Sequence, residues 1–61
     1  MTTKKSLILQ LTILSSQMVK AADAMREIYP ASIHVAELKE AAKLVSEWAN
    51  DINEEILEEK N

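Results

Sequence analysis

The sequence contains no cysteine and no glycine, and its 61 residues include one proline, one histidine, one tyrosine and one tryptophan. The lack of cysteine excludes disulfides, thiolate metal ligands and thiol nucleophiles. The lack of glycine excludes the backbone loops that cradle phosphates in P-loop and Rossmann proteins. Because His34 is the only histidine, we expect no zinc site within one chain, and no metal or other cofactor.

The chain is also short for a protein without covalent cross-links. Sixty-one residues form at most one domain, and a folded chain of this size buries only about 60% of its unfolded surface. We therefore expect its stability to come from long helices that pack against another copy. Apolar residues make up 48% of the sequence and aromatic residues 3%, which is typical of a helical seam and not of a sheet or a disordered tail.

Apolar residues alternate at spacings of four and three along both halves of the chain, with an interruption at Pro30. This spacing places one apolar seam along each of two helices. The first seam comprises Leu7, Leu11, Leu14, Met18, Ala21, Met25 and Ile28. The second comprises Ala31, Val35, Leu38, Ala42, Val45, Ala49, Ile52 and Ile56. The pattern predicts an all-α fold.

We predict a single helical-hairpin domain over residues 1–61, with helices at about 4–28 and 33–58 and a turn at 29–32. Thr3 and Ser32 are the candidate N-caps. Tyr29 precedes Pro30, which biases it out of the α region and ends the first helix. So short a connection makes the two helices antiparallel neighbours, and it brings the acidic end of the second helix close to Lys4 and Lys5.

Each predicted apolar stripe is wider than a two-stranded seam requires. The flanking apolar residues are Ile8, Ala22 and Tyr29 in the first helix and Ala41, Leu44 and Trp48 in the second. Since one hairpin cannot cover both stripes, we predict that hairpins assemble into a four-helix bundle or a higher homo-oligomer. The predicted interface residues are Leu7, Leu11, Leu14, Met18, Met25, Leu38, Val45 and Ile52.

The two halves of the chain differ in charge. Residues 1–29 hold four basic and two acidic residues, whereas residues 31–61 hold three basic and eight acidic ones. The acidic second helix suggests, as an alternative function, a protein–protein inhibitor or regulator that binds a basic partner. DNA is not an expected partner, because nucleic-acid affinity requires lysine and arginine along one face. An RNA-binding hairpin dimer is a further alternative, because the length and layout resemble those of small plasmid copy-number regulators.

Ligand-capable side chains are concentrated around the predicted turn, where Arg26, Tyr29, Ser32 and His34 lie close together in the sequence. The N–H groups at a helix N-terminus bind anions, and a guanidinium beside a ring can hold a phosphorylated base. Trp48 either fills the hairpin interface or stacks on a planar ligand. Ordinary capping and turn packing are the simpler explanation of the turn residues.

The stretch from Pro30 to Ile52 resembles part of a known family. Pro30-Ala31-Ser32 begins the helix, a Leu/Glu/Ala-rich stretch follows over residues 36–41, and Trp48-Ala49-Asn50 with Ile52 closes it. This pattern is similar to the C-terminal helix of small phage-encoded sponge proteins that sequester the cyclic oligonucleotide signals of bacterial anti-phage immunity. The resemblance implies a helical, oligomeric, non-catalytic anti-defence protein with pockets between subunits.

Together these features predict binding without catalysis. His34 and Glu37 have a spacing that suits acid–base work, but no nucleophile or oxyanion-stabilising group accompanies them. No apolar run reaches 18 residues, so we expect no membrane partner and a cytoplasmic location. The leading functional prediction is sequestration of a small phosphorylated nucleotide. Its predicted ligand-binding residues are Arg26, Tyr29, Ser32, His34 and Trp48.

Overall fold

The computed structural model describes residues 2–59 and consists of two α-helices, α1 (Lys4–Ile28) and α2 (Ile33–Glu59). The described residues contain no strand, which confirms the all-α prediction. Lys4 at the start of α1 forms an ion pair with Glu59 at the end of α2, so the two helices run antiparallel. α2 extends one residue beyond the predicted end at 58. The hairpin measures 48 × 19 × 12 Å and is therefore long and thin.

α1 is capped at both ends by local hydrogen bonds. Thr3 has extended backbone angles (φ −98°, ψ 167°), and its side-chain oxygen accepts the N–H of Ser6 at 3.0 Å. At the other end the Tyr29 N–H donates to the Met25 carbonyl at 2.7 Å, and Tyr29 leaves the helical region with φ −128° and ψ 69°. The helix ends here because Pro30 disfavours the α conformation in the residue before it.

Ser32 joins the turn to α2. Its N–H donates to the Tyr29 carbonyl at 3.0 Å, which closes the turn. Its hydroxyl oxygen accepts the N–H of His34 at 3.2 Å, and its carbonyl accepts the N–H of Val35 at 3.3 Å. Ser32 therefore satisfies donors that the first turn of a helix leaves without partners.

We expect Ser32→Ala to destabilise the hairpin by about 1 kcal/mol, because the His34 N–H loses its cap. For a domain of this size the melting temperature should fall by roughly 4–8 °C, measured by circular dichroism. Ser16→Ala is the matched control, since Ser16 is exposed in the middle of α1 and alanine there only improves helix propensity. Equal melting temperatures for Ser32→Ala and wild type would show that the cap contributes nothing.

The residues of α2 that face α1 are those of the predicted second seam. Val35, Ala42, Val45 and Ala49 are buried, and Leu38, Ile52 and Ile56 are half-buried. Their spacing of three and four keeps them on one side of the helix along most of its length. Ala31, the first residue of the predicted seam, lies in the turn and is exposed.

α1 departs from the single seam that its sequence predicts. Apart from Ser6 in the first turn, its less exposed residues are Ile8, Leu11, Ser15, Met18, Ala22 and Met25. Because α2 is the only other element in the described chain, these residues are the ones that face it. Leu11, Met18 and Met25 belong to the predicted seam, but its other four residues, Leu7, Leu14, Ala21 and Ile28, lie in the adjacent row and are exposed.

Small residues explain why α1 faces α2 with a different row of residues from the one that its sequence predicts. Ala22, Ala42 and Ala49 are buried between the helices, and small side chains let two helix backbones approach each other closely. The approach also brings the half-buried Ser15 hydroxyl within 2.8 Å of the Ala42 carbonyl, to which it donates a hydrogen bond. A polar residue inside a seam favours one register of the two helices over others.

The hairpin buries very little. Only five of the described residues are buried, namely Ala22, Val35, Ala42, Val45 and Ala49, and no large side chain is fully enclosed. The accessible surface is 4856 Å², whereas compact folded monomers of 6.9 kDa expose about 4,000 Å². A single hairpin therefore exposes roughly 850 Å² more than a compact protein of its mass.

Candidate functional site

The turn presents two exposed side chains that suit a phosphorylated ligand. Tyr29 is 63% exposed, and Arg26 lies one turn of α1 before it. Among the described residues Arg26 makes no ion pair, and the Tyr29 hydroxyl makes no hydrogen bond. The Tyr29 N–H donates to the Met25 carbonyl, which places the residue at the C-terminal end of α1. Both side chains are exposed to water.

The other two turn residues already have partners. The Ser32 hydroxyl caps α2 through the His34 N–H. The Nδ1 atom of His34 lies 2.6 Å from Oε1 of Glu37, one turn further along the same helix, and both side chains are exposed. The Glu37 carboxylate therefore stands beside the imidazole that the sequence analysis assigned to an anion. A phosphate at His34 has to displace or repel that carboxylate.

Trp48 lies far from the turn. It follows His34 by fourteen residues in the same helix, which is about 21 Å along the helix axis. Its side chain is 52% exposed. Four of the five predicted ligand-binding residues thus lie in or next to the turn, and Trp48 lies apart from them.

A cleft between the helices lies outside the predicted ligand-binding residues. It has a volume of about 260 Å³ and is lined by Ile8, Thr12, Ser46, Ala49, Asn50 and Asn53. The Thr12 hydroxyl donates to the Ile8 carbonyl at 2.8 Å. The lining has no charged side chain, and its volume lies below the roughly 300–1,000 Å³ of typical ligand pockets. The one sequence signal for it was the uncharged row Ser46, Asn50 and Asn53 in an otherwise acidic helix.

The open end of the hairpin is closed by charge. The Lys4 ammonium donates a hydrogen bond to the Glu59 carboxylate. This bond raises the pKa of Lys4 above its ordinary value of 10.5; partial desolvation opposes the rise, and the charges of Glu59 and Glu55 add to it. The contact offsets part of the cost of placing acidic residues at the C-terminal end of a helix dipole.

Because the pKa of Lys4 is raised, the stability of the hairpin should depend on pH in the alkaline range. The protonated form of Lys4 is favoured in the folded state, so the stabilisation is complete below pH 10.5 and disappears as pH rises through the raised pKa. We expect Lys4→Gln to lower the melting temperature slightly at pH 7 and to have no effect at a pH well above the raised pKa of Lys4 or in about 1 M salt. Lys5→Gln, at an exposed neighbouring position, is the control. A Lys4→Gln effect that persists in 1 M salt would exclude an electrostatic origin.

The two long faces of the hairpin differ in polarity. The two helices of an antiparallel pair are related by a two-fold axis perpendicular to the plane that contains both helix axes. Residues at equivalent heptad positions of α1 and α2 therefore lie on the same side of that plane. One side holds the cleft and the ion pair between Lys39 and Asp23, whose charged atoms are 3.5 Å apart; we call it the polar face. The other side, which we call the apolar face, carries the apolar residues Leu7, Leu14, Ala21, Ile28, Ala41, Leu44 and Trp48, and carboxylates of α2 border it.

The predicted interface residues divide between these surfaces. Leu11, Met18 and Met25 of α1 and Leu38, Val45 and Ile52 of α2 lie in the seam within one hairpin. Leu7 and Leu14 lie on the apolar face, where they are 36% and 44% exposed. These two are therefore the residues of that set best placed to meet another molecule.

Comparison with known proteins adds no identification, since no family model, no curated protein and no solved structure matches the chain. Within residues 2–59 no helix is long and apolar enough to cross a membrane. The same residues contain no group of three or more histidine, aspartate or glutamate side chains that is able to hold a metal ion. The functional interpretation therefore rests on the two faces and on the turn.

Proposed function

We propose that this chain is a non-enzymatic binding protein that acts as a homo-oligomer of hairpins, the simplest form being a dimeric four-helix bundle. The supporting observation is an apolar face that stays exposed on a hairpin with only five buried residues. A single core in a chain of this length rarely supplies more than about 3–5 kcal/mol. The surplus surface of roughly 850 Å² per copy is close to the 800 Å² that each partner contributes to a standard interface.

Sedimentation velocity and native mass spectrometry at micromolar concentration test this proposal. We expect one dominant species of two or more chains and no folded monomer. The same mass measurement reports any small molecule that purifies with the protein. A monodisperse monomer with full helical content would overturn the proposal.

The ligand class that we propose is a small phosphorylated nucleotide bound at the turn. The exposed Arg26 and Tyr29 support it, since a guanidinium pairs with phosphate and a phenol ring stacks on a base. Trp48 lies too far along α2 to meet the same ligand within one hairpin, so in this proposal the pocket is shared between copies. The proposal agrees with the resemblance of residues 30–52 to phage-encoded sponge proteins, which implies a cyclic oligonucleotide.

Titration calorimetry against cyclic dinucleotides, cyclic trinucleotides and ADP-ribose-type signals is the direct assay. Loss of one charge-assisted phosphate contact costs about 1.5–3 kcal/mol, so Arg26→Ala should weaken binding roughly 10- to 100-fold. Lys20→Ala is the matched control, because Lys20 is an exposed cation on the same helix away from the turn. The nucleotide proposal fails if nothing binds below about 10 µM, or if both variants bind like wild type.

A second candidate is supported by the acidic surface of α2. The exposed carboxylates in the second half of α2 are Glu47, Asp51, Glu54, Glu55, Glu58 and Glu59. Such a surface attracts a basic protein by long-range charge, and the association is strongly salt-dependent. Pull-down at low and high salt tests it with the double variant Glu54→Lys/Glu58→Lys. Recovery of the same partner after this charge reversal would exclude the acidic surface as the binding site.

A further inference from the structure

α1 carries a second heptad row that α2 does not cover. It consists of Leu7, Gln10, Leu14, Gln17, Ala21, Ala24 and Ile28, which are spaced by three and four and are all exposed. We call this row the outer seam. It extends for about 31 Å along the helix and contains no charged residue. The remaining exposed rows of α1 do contain charges, at Lys5, Lys20, Asp23, Arg26 and Glu27.

We propose that the outer seam packs against the outer seam of a second copy, with the two α1 helices antiparallel about a two-fold axis. This inference rests on the proposed homo-oligomer and names the surface and the orientation that form it. Apolar residues at heptad spacing are the pattern that helix–helix packing requires, and five of the seven residues of the outer seam are apolar. A two-fold interface must also be complementary to itself, so every residue of the seam has to tolerate its symmetry mates.

Charge selects α1 over α2 as the centre of the assembly. The part of α2 that borders the apolar face carries Glu37, Asp51, Glu55 and Glu58 between its apolar residues. Packing α2 against α2 of a second copy would bring these carboxylates together, and like charges across an interface cost several kcal/mol. Contact through α1 avoids this at the central helix–helix contact, because the outer seam contains no charged residue.

Side-chain size and charge favour the antiparallel orientation. Leu7 and Leu14 lie in the first half of the outer seam, and Ala21, Ala24 and Ile28 lie in the second half. An antiparallel pair places Leu14 against Ala21 and Leu7 against Ile28 of the second copy, whereas a parallel pair places alanine against alanine and leaves a gap. A parallel pair would also bring Lys4 of both copies to one end. Gln17 lies at the middle of the seam, next to the two-fold axis.

Single-cysteine cross-linking tests the proposal directly, because the natural chain has no cysteine. In the antiparallel dimer the two Gln17 positions lie within about one helical turn of each other, whereas the two Gln10 positions are separated by about 22 Å along the axis. We expect a short bismaleimide to convert most Gln17→Cys chains into covalent dimers and to leave Gln10→Cys chains largely single on a denaturing gel. Both substitutions are at exposed glutamines of the same helix, and circular dichroism verifies that both variants fold.

The other outcomes overturn the proposal in different ways. Efficient cross-linking of both variants would mean parallel helices. If neither variant is cross-linked although the protein sediments as a dimer, the outer seam is not the interface. The proposed homo-oligomer would still hold. In that case Ser46→Cys, on the polar face, reports whether the opposite side is used. A monomeric wild-type protein would overturn both this inference and the proposed homo-oligomer.

Discussion

Val45→Asp is expected to unfold the protein. Val45 lies near the middle of α2 and is only 7% exposed, in the seam that faces α1. An aspartate there either loses its hydration without a partner or forces the helices apart. An uncompensated buried charge costs about 3–5 kcal/mol, which matches or exceeds the roughly 3–5 kcal/mol that a core of this size supplies. Far-UV circular dichroism at micromolar concentration should show the loss of most helical signal.

The neighbouring residue provides the control for this prediction. Ser46→Asp introduces the same charge at the next position, but Ser46 is exposed on the polar face. Its effect on the free energy of unfolding should stay within about 0.5 kcal/mol, as is usual for surface substitutions. A Val45→Asp protein that remained helical and melted cooperatively would contradict the placement of Val45 between the helices.

The two helices show how far heptad spacing determines a fold. In α2 the predicted seam is the one that faces α1, because apolar residues form a single row with buried members from Val35 to Ala49. In α1 apolar residues occupy adjacent positions, as at Leu7 and Ile8, and periodicity alone cannot choose between neighbouring rows. The choice depends on the opposite helix, whose small residues at Ala42 and Ala49 accept the row that contains Ser15.

The candidate site shows a similar limit. Arg26, Tyr29, Ser32 and His34 cluster because they are close in the sequence, so their grouping followed from the predicted turn. The separation of Trp48 from them follows from the helical rise and could also have been derived from the sequence. The partners of Ser32 and His34 depend on local hydrogen bonds in the first turn of α2. The polar cleft depends on how the two helices pair, and the sequence of either helix alone does not contain that information.

Leu14→Asp should separate the copies. Leu14 is 44% exposed in the single hairpin, so a carboxylate at this position reaches water as long as the chain is alone. In the proposed dimer the same carboxylate lies in the outer seam, and the two-fold axis introduces it twice. We expect the dimer dissociation constant to rise by about 100-fold or more, which corresponds to roughly 2.7 kcal/mol. Sedimentation equilibrium over a range of concentrations measures this change.

Ile13→Asp distinguishes this effect from a general response to a new charge on α1. Ile13 adjoins Leu14 and is similarly exposed, at 49%, but it belongs neither to the seam that faces α2 nor to the outer seam. Ile13→Asp should therefore associate like wild type, whereas Leu14→Asp should lose helical signal as its dimer dissociates, because the small core cannot hold a separate hairpin folded. If the Leu14→Asp protein has the same dimer dissociation constant as wild type, Leu14 does not lie in the interface. Equal disruption by both variants would show that α1 is covered on more than one side, which requires an assembly larger than a dimer.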